Sequence, residues 1–288
     1  MTAIYRREIS SYFKSMTGYV FCAIVIAFVG INFLASNLTA GFPYFAYTLS
    51  ASLVIFIIAV PLLTMRSIAE ERRSNTDQML LTYPVRVRGI VLGKFLAMLT
   101  VYAIPLVLFC LCPLILSFYS YYSFSIDYSS IFAFLCLGAL FISIGMFISS
   151  QTDSQLTSAI ASIGVLLLLC LWEALTNLIP NSAVASLVGY LVILCVLLAL
   201  VFSLSRSRLA TIIAAVIGLC AIGVFYVINS ASFTSSLKNI LGAFSVPAAI
   251  GNFTSYYVFD LKSIIFFLTF SAMFVFLTIQ SIEKRRWS

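Results

Sequence analysis

Residues 63–94 read LTMRSIAEERRSNTDQMLLTYPVRVRGIVLGK, and this stretch decides how the rest of the chain is understood. The chain has 16 basic and 9 acidic residues, and nine of these 25 fall here: Arg66, Glu70, Glu71, Arg72, Arg73, Asp77, Arg86, Arg88 and Lys94. On either side the sequence is almost pure hydrocarbon. Hydrophobic residues make up 62% of the chain and charged residues 9%, with a mean hydropathy of +1.13. A soluble domain is about one quarter charged, so most of this surface faces lipid. The reading is an all-α polytopic membrane protein in which residues 63–94 cross the polar side between two spans.

The placement of the basic residues fixes a direction. Arg6, Arg7, Lys14, the six basic residues from Arg66 to Lys94, Arg206, Arg208, Lys284, Arg285 and Arg286 all fall in segments expected on one side, leaving Lys238 and Lys262 for the other. That asymmetry is the positive-inside pattern. It explains the net charge of +7 without a nucleic-acid partner and predicts cytoplasmic N- and C-termini. The seven cysteines sit in apolar runs and read as small apolar side chains rather than as a disulfide frame.

About 20 apolar residues cross a bilayer core. By that measure spans are expected near 19–38, 45–65, 90–117, 131–149, 156–175, 184–204, 209–228 and 263–282, about eight in all. Pro105 and Pro113 are expected to bend the third. Residues 1–17 carry Tyr5, Ile9, Tyr12, Phe13 and Met16 on one helical face and Arg6, Arg7, Ser10, Ser11 and Lys14 opposite, the pattern of an interfacial amphipathic helix. Residues 18–288 form the transmembrane domain, with a tyrosine-rich outer loop at 118–128, an outer segment at 229–262 and no soluble domain. A cleaved signal peptide fits the start less well, because the apolar run after it is long enough to span.

Within the polar loop at 66–89, Ser74 to Asp77 fits a helix capping box, and Tyr83-Pro84 would end the helix it opens. Two short helices follow, one continuing the second span through Arg73 and one from Asp77 to Thr82. Such a charged knob suits docking on a cytoplasmic partner, and a solvated anchor for the flanking spans fits the residues equally well. Glu70, Glu71 and Asp77 are not needed for orientation, to which acidic residues contribute little. Gly89 and Gly93 lack phosphate-loop spacing and read as a G-x-x-x-G packing pair. Glu173, beside Trp172, is either an intramembrane carboxylate lining a pathway or a solvated group at the interface. Without histidine, the usual zinc motifs and Ser/His/Asp or Cys/His sites are absent, and sparse intramembrane charge argues against an ion-coupled carrier.

The runs PLLTMRSIAEERRSNTDQMLLTYPV and GIVLGKFLA, with REISSYFKSMTGYVF, GMFISSQTDSQLTSAI and FDLKSIIFFLTFSAMFVFLTIQSIEKRRW, closely resemble the permease subunits of ABC-2-type transporters, in the branch related to gliding-motility permeases. The resemblance implies a dimeric permease, with an identical or related second copy, driven by separate ABC ATPase subunits, in a bacterial cytoplasmic (inner) membrane. It makes the loop between spans two and three a coupling helix, so Glu70, Glu71, Arg72, Arg73 and Asp77 would face the ATPase, with Asp153 as a secondary contact. It implies no cofactor on this chain, ATP with magnesium on the partner, and an exporter rather than an enzyme. The alternative in another class is an ATPase-coupled scaffold for envelope assembly or signalling without net transport. The hairpin at 184–228 looks like an addition to the family pattern.

Overall fold

The computed structural model describes residues 2–73, 87–118, 124–178, 180, 186–191, 194, 198, 238–239 and 241–287. Among them the chain is helical throughout, with no strand. Six helical segments are long and apolar enough to cross a membrane: Thr17–Thr39, Leu53–Arg73, Val87–Ser117, Phe124–Gln151, Gln155–Asn177 and Leu261–Lys284. The two further spans expected at 184–204 and 209–228 lie almost wholly outside the described residues, so six is the number observed against about eight expected. The chain divides into two compact units, residues 1–168 with 249–288, and residues 169–248.

In the larger unit, α1 (Thr2–Lys14) is the amphipathic helix. Its inner face holds Tyr12, which is buried, and Tyr5 and Ile9, which are half-buried, while Arg6, Arg7 and Lys14 are exposed. Met16 departs from the expected face: it takes a left-handed backbone (φ 59°) that ends the helix, and it points away, 73% exposed. The chain then turns into α2 (Thr17–Phe33) and a π-helical turn (Leu34–Thr39).

The second span has two pieces, α3 (Phe45–Ala51) and α4 (Leu53–Thr64), broken at Ser52. After a turn at 65–68 comes α5 (Ala69–Arg73). The third span also divides, into α6 (Val87–Phe109) and α7 (Leu111–Ser117). The break falls at Cys110, where Pro113 lacks the N–H that would bond the carbonyl of Phe109. Pro105 is accommodated inside α6.

The centre of the unit is α8 (Phe124–Gln151). Its most apolar stretch is 78% buried, against 28% for Thr17–Thr39, so α8 faces protein where α2 largely faces outward. It packs most extensively on α11 (Leu261–Trp287), where Ser271 donates to the carbonyl of Ala139 at 3.2 Å, and also meets α4 and α6. Phe21, Phe56, Tyr102 and Phe134 bring α2, α4, α6 and α8 together, with ring centroids 5.6–6.3 Å apart. Burying such rings contributes about 1.5–3 kcal/mol per large side chain in water; within lipid their close packing is what remains.

Two glycines let α8 approach its neighbours. A Cβ on Gly138 would stand 2.0 Å from the Tyr102 ring, and one on Gly145 would stand 2.2 Å from Thr64 Oγ1. Of the expected G-x-x-x-G pair, Gly93 is buried on α6, while among the described residues nothing lies within 4 Å of a Cβ built on Gly89.

At the end of the bundle away from α1, α8 begins seven residues before the expected Ile131, at Phe124, which shortens the outer loop to 118–123. Asp127, expected in that loop, is fully buried and accepts the backbone N–H groups of Phe45 and Ala46 at 2.9 Å each. Nearby, Asn37 donates to the carbonyls of Phe42 and Tyr44 at 2.8 and 3.0 Å, closing the first outer turn, where Gly41 supplies φ +78°. Asp260 precedes α11 and accepts from Lys262 N (3.0 Å), Ser263 Oγ (2.7 Å) and Asn252 Nδ2 (2.8 Å). The Ser263 hydroxyl, chief among these donors, holds the Asp260 carboxyl below its ordinary pKa.

In the smaller unit, the Trp172 indole donates to the carbonyl of Leu241 at 2.8 Å, and Glu173 next to it is half-buried on α9 (Gln155–Asn177). Cys22, Cys110, Cys112, Cys136 and Cys170 are all free thiols within helices or at their breaks, as the apolar placement predicts.

Candidate functional site

The sequence AEERR consists of strong helix formers, with acids at the start and bases at the end, which suits the helix dipole. Five residues do not hold a helix alone. α5 is fixed instead by a side chain from α8. Ser149, fully buried, accepts the N–H groups of Ala69 (3.0 Å) and Ile68 (3.3 Å), satisfying donors that the first turn leaves open. Sequence reasoning did not single out Ser149, since a serine near a helix end carries no signal of what it caps 80 residues earlier.

The second fixing point is Lys94, one of the basic residues of the opening stretch. It sits in the first two turns of α6 and is 3% exposed. Its ammonium donates to the carbonyl of Ser67 at 2.7 Å, to Glu71 Oε1 at 2.8 Å and to Glu8 Oε1 at 3.2 Å. All three ammonium donors are thereby used. One lysine therefore joins the interfacial helix α1, the turn after α4 and the helix α5 to the third span. Both carboxylates are also largely shielded, with side chains 14% and 17% exposed for Glu8 and Glu71.

α1 is held to the same place from its apolar side. Tyr12 donates to the carbonyl of Leu63 at 3.2 Å, and Tyr5 and Thr100 share a hydrogen bond of 3.0 Å. Burial, reinforced by Glu8, raises the Tyr12 phenol well above its ordinary pKa, so it remains a donor.

Arg72 reaches the turn between α8 and α9, with Nη1 3.0 Å from Asp153 Oδ1. This is a charge contact rather than an aligned hydrogen bond. Asp153 is 81% exposed and the Arg72 side chain 8%, so solvent screens one partner of this contact, whereas both partners of Lys94–Glu71 are shielded and stripping one costs about 3–5 kcal/mol. The buried cluster is the firmer anchor of α5. Arg66 lies 3.2 Å from Glu70 one turn away, and Glu70 and Arg73 are exposed.

The structure thus brings Glu70, Glu71, Arg72, Arg73 and Asp153 together at one end of the bundle, while Asp77 and the expected helix after it lie outside the described residues. Sequence reasoning missed Glu8, Lys94 and Ser149. The detectable signal was Glu8 on the otherwise basic α1, an acid that orientation does not require.

A bundle of membrane-spanning helices with an amphipathic helix along one end and a short, charged, firmly seated helix beside it defines a multi-pass membrane protein with a charged polar end. The family follows from comparison: a model described as ABC-2 family transporter protein matches residues 2–182, and the chain belongs to that family. It is a membrane permease subunit of an ABC transporter, a transport component rather than an enzyme, of a kind that associates with ABC ATPase subunits. No curated protein matches the chain.

Proposed function

We propose that this protein is the permease of an exporter in a bacterial cytoplasmic membrane, with both termini cytoplasmic, working with a second permease copy and two ATPase subunits that carry ATP and magnesium. α5 is the coupling helix: its exposed Glu70 and Arg73 meet the ATPase, Glu71 and Arg72 seat the helix from its inner side, Asp77 extends the contact, and Asp153 flanks it. The observation carrying this reading is the seating of α5 on Lys94 and Ser149. A helix tied by buried bonds to both the third and fourth spans passes a push from outside into the bundle, as a loosely solvated anchor would not.

The test is reconstitution of the full chain in sealed vesicles with a candidate ABC ATPase. Arg73→Glu reverses an exposed charge on α5 without touching its buried bonds. The expected outcome is an intact permease whose complex formation and transport-linked hydrolysis fall about tenfold or more, since like-charge juxtaposition at an interface costs several kcal/mol. Unchanged assembly and hydrolysis in Arg73→Glu and Glu70→Gln alike would sink the assignment.

A further inference from the structure

Between α1 and the turn leading to α5 lies a polar recess of about 90 Å³. Its walls carry two carboxylates and a guanidinium, Glu8, Glu70 and Arg66, together with the hydroxyls of Ser11, Ser15 and Ser67. Ser67 is 3% exposed, and its hydroxyl has no hydrogen-bond partner among the described residues. A buried hydroxyl without a partner costs about 1–3 kcal/mol, so Ser67 is a group that a polar ligand would satisfy. The Nε of Arg66 is likewise buried without an aligned hydrogen bond, although Glu70 stands 3.2 Å away.

The lining selects the ligand by charge. Each carboxylate already has a cation beside it, Lys94 for Glu8 and Arg66 for Glu70, so the lining is close to neutral and suits a zwitterion rather than a purely anionic headgroup, with the single guanidinium suiting one phosphate. A quaternary ammonium offers no N–H to a carboxylate and adds three methyl groups to a small space. What fits is a primary ammonium two carbons from a phosphodiester. The recess lies along α1, whose exposed Arg6, Arg7 and Lys14 belong at headgroup depth, so the source is the bilayer. We propose that this recess binds the headgroup of an ethanolamine phospholipid, its ammonium toward Glu8 and Glu70, its phosphate toward Arg66 and its remaining oxygens toward the serine hydroxyls. The headgroup bridges the interfacial helix and the segment that carries α5.

Native mass spectrometry of the full chain in detergent, titrated with dioleoyl phosphatidylethanolamine, phosphatidylcholine and phosphatidylglycerol, tests this. The expected result is binding of the ethanolamine lipid about tenfold tighter than either of the others, the worth of one charge-assisted hydrogen bond. Ser15→Phe, at an exposed position beside the recess, and Arg66→Gln remove that preference, and an unchanged unfolding midpoint for Ser15→Phe separates occlusion from misfolding. Equal binding of the three lipids by the unsubstituted chain overturns the proposal, as does a preference that survives in both variants. Competition by glycerophosphoethanolamine at the same concentration as the lipid overturns the membrane source.

Discussion

Each end of the larger unit buries a charge, and the two ends treat it differently. At one, Lys94 is neutralised by Glu8 and Glu71, side chains from two separate elements, and by the Ser67 carbonyl. At the other, no cation meets Asp127 among the described residues; two backbone N–H groups at the start of α3 hold it. Backbone amides are fixed parts of a helix, so the Asp127 end is a cap that locks one span to another. Side-chain carboxylates belong to elements that could shift as units, so the Lys94 end is a joint, strong when closed and costly to leave half-made. The joint lies beside the helix proposed to meet the ATPase.

The comparison breaks most visibly at Lys94. Lys94→Met leaves Glu8 and Glu71 shielded without their cation, and a thermal-unfolding series in detergent should register a loss of about 3–5 kcal/mol. Adding Glu8→Gln and Glu71→Gln should recover much of it; no recovery would show that the lysine matters for packing rather than charge. Asp127→Asn should cost less, about 1–3 kcal/mol, because one amide oxygen replaces two carboxylate acceptors, with faster hydrogen exchange at Phe45 and Ala46. Exchange unchanged at those two amides would refute the cap.

Gly138→Ala forces a methyl into the Tyr102 ring and should cost about 1–3 kcal/mol by overpacking, while Gly89→Ala should be silent by the same measurement. The smallest effect is expected at Asp260. Its folded pKa is depressed, so its contribution is present above the ordinary carboxylate value and is lost as pH falls through the lower folded one. Asp260→Ala should cost about 1 kcal/mol near neutral pH and nothing once that carboxylate is protonated. A cost independent of pH would point to packing instead.

Much of this fold was legible in the sequence. Six of the expected spans and the amphipathic start follow from hydropathy and charge, because lipid leaves helices few alternatives. The early start of α8 was not legible: Asp127 reads as a loop residue until the amides of Phe45 and Ala46 are brought to it from 82 and 81 positions away. Gly89-x-x-x-Gly93 has the spacing of a packing motif, and of the two only Gly93 is buried; the close approaches of α8 at Gly138 and Gly145 carry no such spacing. At the site, the charged residues of α5 were evident and their support was not. Lys94 reads as one more inside-positive charge, because its acceptors, Glu8 and Glu71, lie 86 and 23 residues from it in sequence.

The Lys94 end, and not the Asp127 end, is the one proposed to meet the ATPase. Photo-crosslinking amino acids placed singly at Arg73, Asp153 and Tyr256, all exposed, in the assembled complex test it directly. Crosslinks to the ATPase are expected from positions 73 and 153 and none from 256. Crosslinks from 256, or none from 73 and 153 in a complex that hydrolyses ATP, would contradict it.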